Sequence, residues 1–246
     1  MSVDLSITDG VAAIVLNDPP RRNALDRRTL TTLAEHVGAA ERAGAGVIVL
    51  SAEGPVFSAG ADFNELTGTS ADADYDAAVA ATTATLRRSP IPVIAAVHGA
   101  CLGAAVDLVV STDVVIAARA ARFEIPAVRI GILYNPASLS IIRGRLTSAL
   151  MRQLMLGVSV SATDATAGGL VARVVDTDDL AEVTGHIARQ IAGANRQAVA
   201  ATKELLGALD TGTVDLDAWT PRRLRLLDSP ERQHPMADRR RKEDPR

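Results

Sequence analysis

The sequence predicts an α/β fold in which short buried strands alternate with helices. In the first half, the apolar, β-branched runs Gly46–Ser51 and Val93–Val97 are separated by a segment with helical periodicity. From Leu139 onward the pattern is mostly helical. Aromatic residues make up only 2% of the 246 residues, so a core of Ala, Val, Leu and Ile is expected. The length suffices for one substantial core.

The chain opens with a predicted β-hairpin. Two alternating segments, Val3–Thr8 and Val11–Leu16, flank the dipeptide Asp9-Gly10, which is typical of a tight hairpin turn. The segment Asn17–Asn23 contains two prolines and is predicted to be a loop. Asp26 is a candidate N-cap for a helix that runs to about residue 43.

The remaining elements follow from the same signals. The first half is completed by the strand Gly46–Ser51, a helix at about Ala71–Arg88, the strand Val93–Val97, a short helix at Gly103–Val110 and the strand Asp113–Ala117. The second half has helices at about Thr147–Leu156, Ala162–Gly168, Leu180–Ala192, Gln197–Leu209 and Val214–Leu227. We divide the chain into a strand–helix core, residues 1–195, and a helical C-terminal segment, residues 196–246, with a polar, flexible tail. The pattern alone leaves open whether these last helices pack on a partner subunit or fold back on the core.

Composition and charge restrict the classes of function. The net charge of −3 gives no electrostatic reason to expect a nucleic acid or a membrane as partner. One cysteine, Cys101, cannot form an internal disulfide, and the start of the chain lacks the basic and apolar regions of a signal peptide. The four histidines show no metal-ligand spacing. We therefore expect a cytoplasmic protein without a metal site.

Two stretches carry residues suited to chemistry. The first, FSAGADFNEL at Phe57–Leu66, places small residues directly after a strand, where a ligand can approach the backbone N–H groups closely. Its local alternative is an ordinary tight turn into a helix capped by Asp62. The second, VHGACLGAAVDL at Val97–Leu108, has a glycine loop before a helix whose N-terminus suits an oxyanion. Asp107 lies one turn into that helix; it either complements the helix dipole or serves the site, and its apolar neighbours favour the second interpretation.

Taken together, these stretches resemble the crotonase family of enoyl-CoA hydratases and isomerases. The matching pieces extend the two stretches just described and run from about residue 11 to residue 175. They are Arg22–Leu25 (RNAL), Phe57–Leu66, Pro92–Gly103, Ser111–Asp113 and Ser161–Val171. The resemblance implies a crotonase-like spiral of βαβ units, with a helical C-terminal trimerisation segment in a homotrimer or a hexamer made of two trimers. That would place the last helices at subunit contacts.

The resemblance also implies a coenzyme A thioester as substrate, with no tightly bound cofactor and a role in fatty acid metabolism. The family polarises the thioester carbonyl with two backbone N–H groups, which correspond here to Ala61 and Ala104. The family more often has glycine at the second position, and alanine keeps the N–H. The backbones that would flank the adenine and pantetheine of the coenzyme belong to Asn23, Ala24, Leu25, Ala59, Ala61, Asp62 and Phe63.

The sequence departs from the family at the catalytic positions. Typical hydratases use two glutamates; the first position is Asp107 here, one methylene shorter, and the second is Ala127, which cannot transfer a proton. Glu124 either substitutes for the missing glutamate or is a strand-edge or surface residue. Tyr134 matches a tyrosine beside the substrate carboxylate in methylmalonyl-CoA decarboxylase, a crotonase relative, or it fills space left by missing glycines. The decarboxylase has a histidine where this chain has Ala61.

One carboxylate suffices for a double-bond shift through a stabilised enolate, whereas hydration uses two groups. We therefore predict an acyl-CoA enzyme with Asp107 as its sole acid–base group, suited to isomerisation or related chemistry more than to efficient hydration. Two alternatives stay open: a non-catalytic acyl-CoA-binding protein, which the missing glutamate favours, and a decarboxylase, which Tyr134 favours.

Overall fold

The computed structural model describes residues 2–210, 212 and 214–232. Its strands are β1 (Val3–Thr8), β2 (Val11–Leu16), β3 (Val47–Ala52), β4 (Val93–Val97), β5 (Ala100–Leu102), β6 (Val114–Ala118), β7 (Arg122–Glu124), β8 (Val160–Ser161) and β9 (Arg173–Val175). Its helices are α1 (Arg27–Arg42), α2 (Ala73–Arg88), α3 (Ala104–Val110), α4 (Pro136–Arg145), α5 (Ser148–Met155), α6 (Ala162–Ala167), α7 (Leu180–Ala192), α8 (Arg196–Asp210) and α9 (Thr220–Leu227). The predicted α/β class is confirmed.

Two sheets organise the described residues. The larger has the order β1-β2-β3-β4-β6-β9, in which only the β1–β2 pair is antiparallel. The smaller has the order β5-β7-β8, with β5 and β7 parallel. Parallel neighbours need crossover connections, and α1, α2 and α3 supply them between successive strands. This alternation is the predicted series of βαβ units.

The centre of the large sheet is buried on both faces. All five residues of β4 are buried, and neighbours along it belong to different apolar clusters, Val93 to the main core and Ile94 to a smaller one beneath α7. Such two-sided burial explains why the inner strands have continuous rather than alternating apolar sequences.

Local signals located the first elements correctly. The turn between β1 and β2 has Asp9 and Gly10 at φ values of 51° and 77°, as a type I′ hairpin turn requires. Asp26 caps α1 by accepting a hydrogen bond from the backbone N–H of Thr29 at 2.7 Å. Both predictions are confirmed.

The sequence prediction missed the short strands β5, β7, β8 and β9, because two or three residues cannot show a period and their pairing is set by distant segments. It also placed no helix at α4, which begins at Pro136 after the N-cap Asn135. The helix predicted at Val214–Leu227 was wrong at its start. The α-helix begins only at Thr220, where Pro221 occupies the first turn and needs no N–H partner there.

The C-terminal helices contact their own core. The ammonium group of Lys203 on α8 donates to the carbonyl oxygens of Leu86 and Ile91 and forms an ion pair with Asp113 at 2.7 Å. Packing of these helices on a partner subunit stays a prediction, as does the domain boundary at residue 195. Most of the predicted flexible tail lies outside the described residues. No helix in the described part is both long and apolar enough to cross a membrane.

Candidate active site

A cavity of about 610 Å³ lies where the loop after β3 meets α2, α3 and the segment that joins β7 to α4. It brings together the four residues predicted to take part in catalysis, and it also contains the position of the missing glutamate. These five residues are Ala61, Ala104, Asp107, Ala127 and Tyr134. They come from chain segments up to 73 residues apart (from 61 to 134), which the crossovers of the fold bring to one place.

The loop after β3 is held by backbone pairing that leaves one N–H unused. Leu25 donates to the carbonyl oxygen of Gly60 at 2.8 Å and accepts from the N–H of Asp62 at 3.2 Å. The Ala61 N–H lies between these two bonds in sequence, and no described residue accepts a hydrogen bond from it. The loop whose small side chains were predicted to admit a ligand therefore also carries a free hydrogen-bond donor, the N–H of Ala61, in the cavity wall.

Gly60 brings this loop against the start of α3. Its φ is +85°, and a Cβ at this position would lie 2.5 Å from the carbonyl oxygen of Leu102 and 3.5 Å from the backbone nitrogen of Ala104. Ala104 is the first residue of α3, so its N–H has no partner within the helix, and none among the other described residues. Two free N–H groups, those of Ala61 and Ala104, thus belong to residues of one cavity wall.

Asp107 is the buried carboxylate of the site. Every other residue of α3 after Ala104 is buried and apolar, and Asp107 itself is 6% exposed. Its Oδ1 has no hydrogen-bond partner among the described residues. Burial is the largest cause that raises the pKa of Asp107 to about 6, and the Tyr134 and Ser138 hydroxyls partly oppose it. Asp107 can therefore hold or release a proton near neutral pH.

Tyr134 lies beside Asp107. Burial and the neighbouring carboxylate raise the pKa of Tyr134 well above its usual value, so the phenol remains a hydrogen-bond donor. The two groups are close enough to shift each other's pKa, but the Tyr134 hydroxyl makes no hydrogen bond of ordinary geometry with any described residue. A buried donor and a buried acceptor are both unsatisfied, which is the condition in which a ligand gains most from bonding to them.

The position of the second family glutamate holds no ionisable group. Ala127 is 7% exposed and lines the cavity. Glu124 is not among the described residues that line it; its carboxylate forms an ion pair with Arg129 at 2.6 Å. Of the two non-catalytic positions expected for Glu124, a strand edge or the surface, the structure has it as the last residue of β7 and buried, where Arg122 and Arg129 offset the cost of burying its charge.

The residues predicted to flank the coenzyme divide into two groups. Ala59, Ala61 and Phe63 line the cavity, and Phe63 is 66% exposed. The other four do not line it: they are Asn23, Ala24, Leu25 and Asp62.

Two of these four residues, Asn23 and Asp62, hold the loop with their side chains. The Asn23 side chain is buried and donates to the carbonyl oxygens of Glu53 and Val56, at 2.8 and 3.0 Å. Asp62 forms an ion pair with Arg21 and accepts a hydrogen bond from the N–H of Asn64. The Asn23 and Asp62 side chains are therefore committed to holding the loop. The backbone N–H groups of all four residues are also engaged, because they donate to carbonyl oxygens within the chain.

Several polar residues of the cavity were not predicted from the sequence, among them Asp72, Asp76 and Ser138. Asp76 stands three residues before the buried Val79 on α2, so the helical period could have placed it at the border of the buried face. Ser138 lies on α4, a helix the sequence did not reveal. No group of three or more His, Cys, Asp or Glu side chains suited to a metal occurs within the described ranges.

Comparison with known proteins gives one consistent result. Residues 6–218 match the family model described as enoyl-CoA hydratase/isomerase. The chain is 36% identical to the rat protein enoyl-CoA hydratase domain-containing protein 3, mitochondrial, over 200 residues, which is 79% of this chain and 66% of the rat protein.

Solved structures agree with this match. An enoyl-CoA hydratase/carnithine racemase from Magnetospirillum magneticum superimposes with a TM-score of 0.91 at 29% identity, covering 98% of this chain and 93% of that one. The human enoyl-CoA hydratase domain-containing protein 3 gives a TM-score of 0.88 at 28% identity and covers both chains completely.

Proposed function

The chain belongs to the enoyl-CoA hydratase/isomerase family, and from that membership we propose that it binds an acyl-CoA thioester and shifts a double bond along the acyl chain, with Asp107 as its sole acid–base group. The observation that carries the proposal is the buried Asp107 carboxylate, whose pKa is raised to about 6, in the same cavity as two residues with free backbone N–H groups. A proton acceptor and an oxyanion site are the two parts that enolate chemistry needs.

The reaction balances with these parts alone. The ionised Asp107 removes a proton from an acyl carbon, and the electron pair moves into the thioester to form an enolate. The N–H groups of Ala61 and Ala104 donate to the enolate oxygen, and each donor of this kind is worth about 3 kcal/mol of transition-state stabilisation. Asp107 then returns its proton to a different carbon, so the double bond has moved and the enzyme is unchanged.

Hydration fits the same cavity less well. Adding water across a double bond requires one group that activates the water and another that delivers a proton. Ala127 supplies neither, and the Glu124 carboxylate is engaged with Arg129. Tyr134, one of the two hydroxyl-bearing residues beside Asp107, keeps its proton because its pKa is raised well above its usual value, so it serves as a donor and not as a base.

Two other functions compete with isomerisation. The absence of an ionisable side chain at Ala127 favours a protein that binds acyl-CoA without turning it over. The buried hydroxyl of Tyr134 beside Asp107 favours a decarboxylase, in which the loss of carbon dioxide generates the enolate that the two N–H groups stabilise.

The proposal extends to the coenzyme and the assembly. Ala59, Ala61 and Phe63 are the proposed contacts of the pantetheine at the cavity, and the backbones of Asn23, Ala24, Leu25 and Asp62 complete the coenzyme site. The proposed assembly is a homotrimer or hexamer, and the proposed location is the cytoplasm. The name of the rat relative contains the word mitochondrial, so location needs its own test by fractionation.

A panel of thioesters separates the competing functions. The protein is incubated with 2-enoyl-, 3-enoyl- and carboxyacyl-CoA, and the products are followed by mass spectrometry and by the ultraviolet absorbance of the conjugated thioester. We expect interconversion of 2-enoyl and 3-enoyl forms that is abolished in Asp107→Asn. The matched control is Asp74→Asn, since Asp74 is exposed on α2 and does not line the cavity.

Each competing function has its own result. A rise in melting temperature with thioesters but no turnover identifies a binding protein. Carbon dioxide release from a carboxyacyl thioester identifies a decarboxylase. If no thioester reacts or raises the melting temperature, acyl-CoA binding itself is wrong.

A further inference from the structure

The charged side chains of the cavity are all acidic. Asp72, Asp76 and Asp107 line it, and no Arg, Lys or His is among its described lining residues. A carboxyl group on the acyl chain of a substrate would therefore find no cation to pair with there. The cavity is nonetheless prepared for a polar ligand, because Oδ1 of Asp107 and the hydroxyl of Tyr134 are buried and unpartnered.

The three carboxylates differ in how they are compensated. Asp72 accepts hydrogen bonds from the backbone N–H groups of Thr67 and Gly68, at 2.7 and 2.9 Å, so its charge is spread over its own loop. Asp107 carries the proposed proton transfer. Asp76 forms no hydrogen bond or ion pair with any described residue. Its negative charge is therefore the one most available to a ligand.

Asp76 is also close to the reacting groups. Its charge raises the pKa of both Asp107 and Tyr134, so its field reaches the end of the cavity where the acyl group would react. Asp76 itself is exposed at the cavity, and its partial burial, with a smaller repulsion by Asp72, raises its pKa. Because Asp76 is exposed, solvent and salt screen its charge in part, and its effect on a ligand should be largest at low ionic strength.

We propose that Asp76 is a specificity-determining residue that selects acyl groups by charge: it discriminates against acyl chains that end in a carboxylate and favours those that end in an ammonium group over neutral ones of the same length. The proposal rests on acyl-CoA binding at this cavity and deepens it by naming the substrate class. It also separates two of the competing functions, because a decarboxylase must hold a carboxylate next to Asp107, where Asp76 would repel it.

Three thioesters of matched length test the proposal. Their acyl chains end in a methyl group, a carboxylate or an ammonium group, and their dissociation constants are measured by calorimetry for the native protein, Asp76→Asn and Asp76→Lys, with Asp74→Asn as control. For the native protein we expect the carboxylate ligand to bind at least about tenfold more weakly than the methyl ligand, and the ammonium ligand more tightly than the methyl ligand. Circular dichroism checks that each variant is folded.

The variants should change the order in a defined way. In Asp76→Asn the three ligands should bind within about threefold of one another, and in Asp76→Lys the carboxylate ligand should bind best. Asp74→Asn should keep the native order. The charge filter is overturned if the native protein binds all three alike, or if its order survives in Asp76→Asn. If even the methyl-terminated thioester fails to bind, acyl-CoA binding is refuted and the filter with it, whereas binding without discrimination refutes the filter alone.

Discussion

The carboxylate of Asp107 and the hydroxyl of Tyr134 lie side by side in the cavity wall, and both Oδ1 of Asp107 and the Tyr134 hydroxyl lack a hydrogen-bond partner among the described residues. Burial makes ionisation of either group costly, and the tyrosine donor favours the charged form of the aspartate. This pair links the stability of the fold to the proton transfer that we propose.

The rate should depend on pH through Asp107. If its ionised form removes the substrate proton, kcat/KM should rise with unit slope below about pH 6 and be constant above it, since burial raises the pKa of Asp107 to about 6. The measurement is a pH–rate profile from pH 4.5 to 8.5. Phosphate monoesters also titrate near pH 6, so the profile is repeated with a dephospho-coenzyme A thioester. A bend near pH 4, where an unperturbed aspartate titrates, contradicts this assignment.

Removing the Tyr134 hydroxyl should move the inflection of the pH–rate profile to higher pH. The hydroxyls of Tyr134 and Ser138 both lower the pKa of Asp107, so Tyr134→Phe and Ser138→Ala should each shift the acid limb to higher pH. If Tyr134 only fills space, Tyr134→Phe should leave the apparent pKa of the kcat/KM profile unchanged, because phenylalanine has nearly the same volume. The same pH–rate profiles distinguish these outcomes.

Neutralising the aspartate should stabilise the fold while abolishing turnover. The folded pKa of Asp107 is raised from 3.8 to about 6, so the folded state holds a proton that the unfolded state releases, and stability falls as the pH rises through this window. A shift of this size corresponds to at most about 3 kcal/mol above pH 6. We expect Asp107→Asn to raise the free energy of unfolding in urea by about 1–3 kcal/mol at pH 8 and by less at pH 5. If Asp107→Asn raises the free energy of unfolding more at pH 5 than at pH 8, the pH dependence has the opposite sign and contradicts a raised pKa for Asp107.

Gly60 should tolerate no side chain. Gly60→Ala combines a positive φ with a Cβ that would lie 2.5 Å from the carbonyl oxygen of Leu102, so the loop that carries Ala61 must move. We expect a loss of about 3 kcal/mol or more in stability, with a fall in turnover. Gly10→Ala is the control: its φ is also positive, but the nearest atom would be 3.9 Å away, so the cost should be about 1 kcal/mol with activity kept. Equal effects of the two substitutions contradict the prediction.

Lys203 should be a principal anchor of α8. Its buried ammonium group contacts Asp113 and the carbonyl oxygens of Leu86 and Ile91. Lys203→Met therefore leaves the Asp113 carboxylate without its cation and the two carbonyl oxygens without this hydrogen-bond donor. We expect a loss of about 3–5 kcal/mol in urea unfolding, and partial recovery when Asp113→Asn removes the unpaired charge. A loss below 1 kcal/mol in the single variant shows that solvent replaces the lysine.

Much of the architecture was predictable from local signals. The hairpin at Asp9 and Gly10 and the cap at Asp26 depend on residues within a few positions of one another. The strand β5 and the helix α4 were not predictable, because the first is too short for a period and the second replaces a family motif. The candidate site followed the same division. Asp107 was identifiable from its motif, whereas Asp76 and Ser138 come from other segments that reach the cavity only in the folded chain.

The sequence by itself determined the fold class, the family resemblance and the absence of an ionisable side chain at Ala127, because these depend on residue type and spacing. The tertiary structure decided what the polar groups near the site are free to do. It engages Glu124 with Arg129, leaves Asp76 without a described partner and surrounds Asp107 with apolar groups that raise its pKa to about 6. The physical reason is that burial and charge pairing depend on neighbours in space, which a linear pattern does not specify.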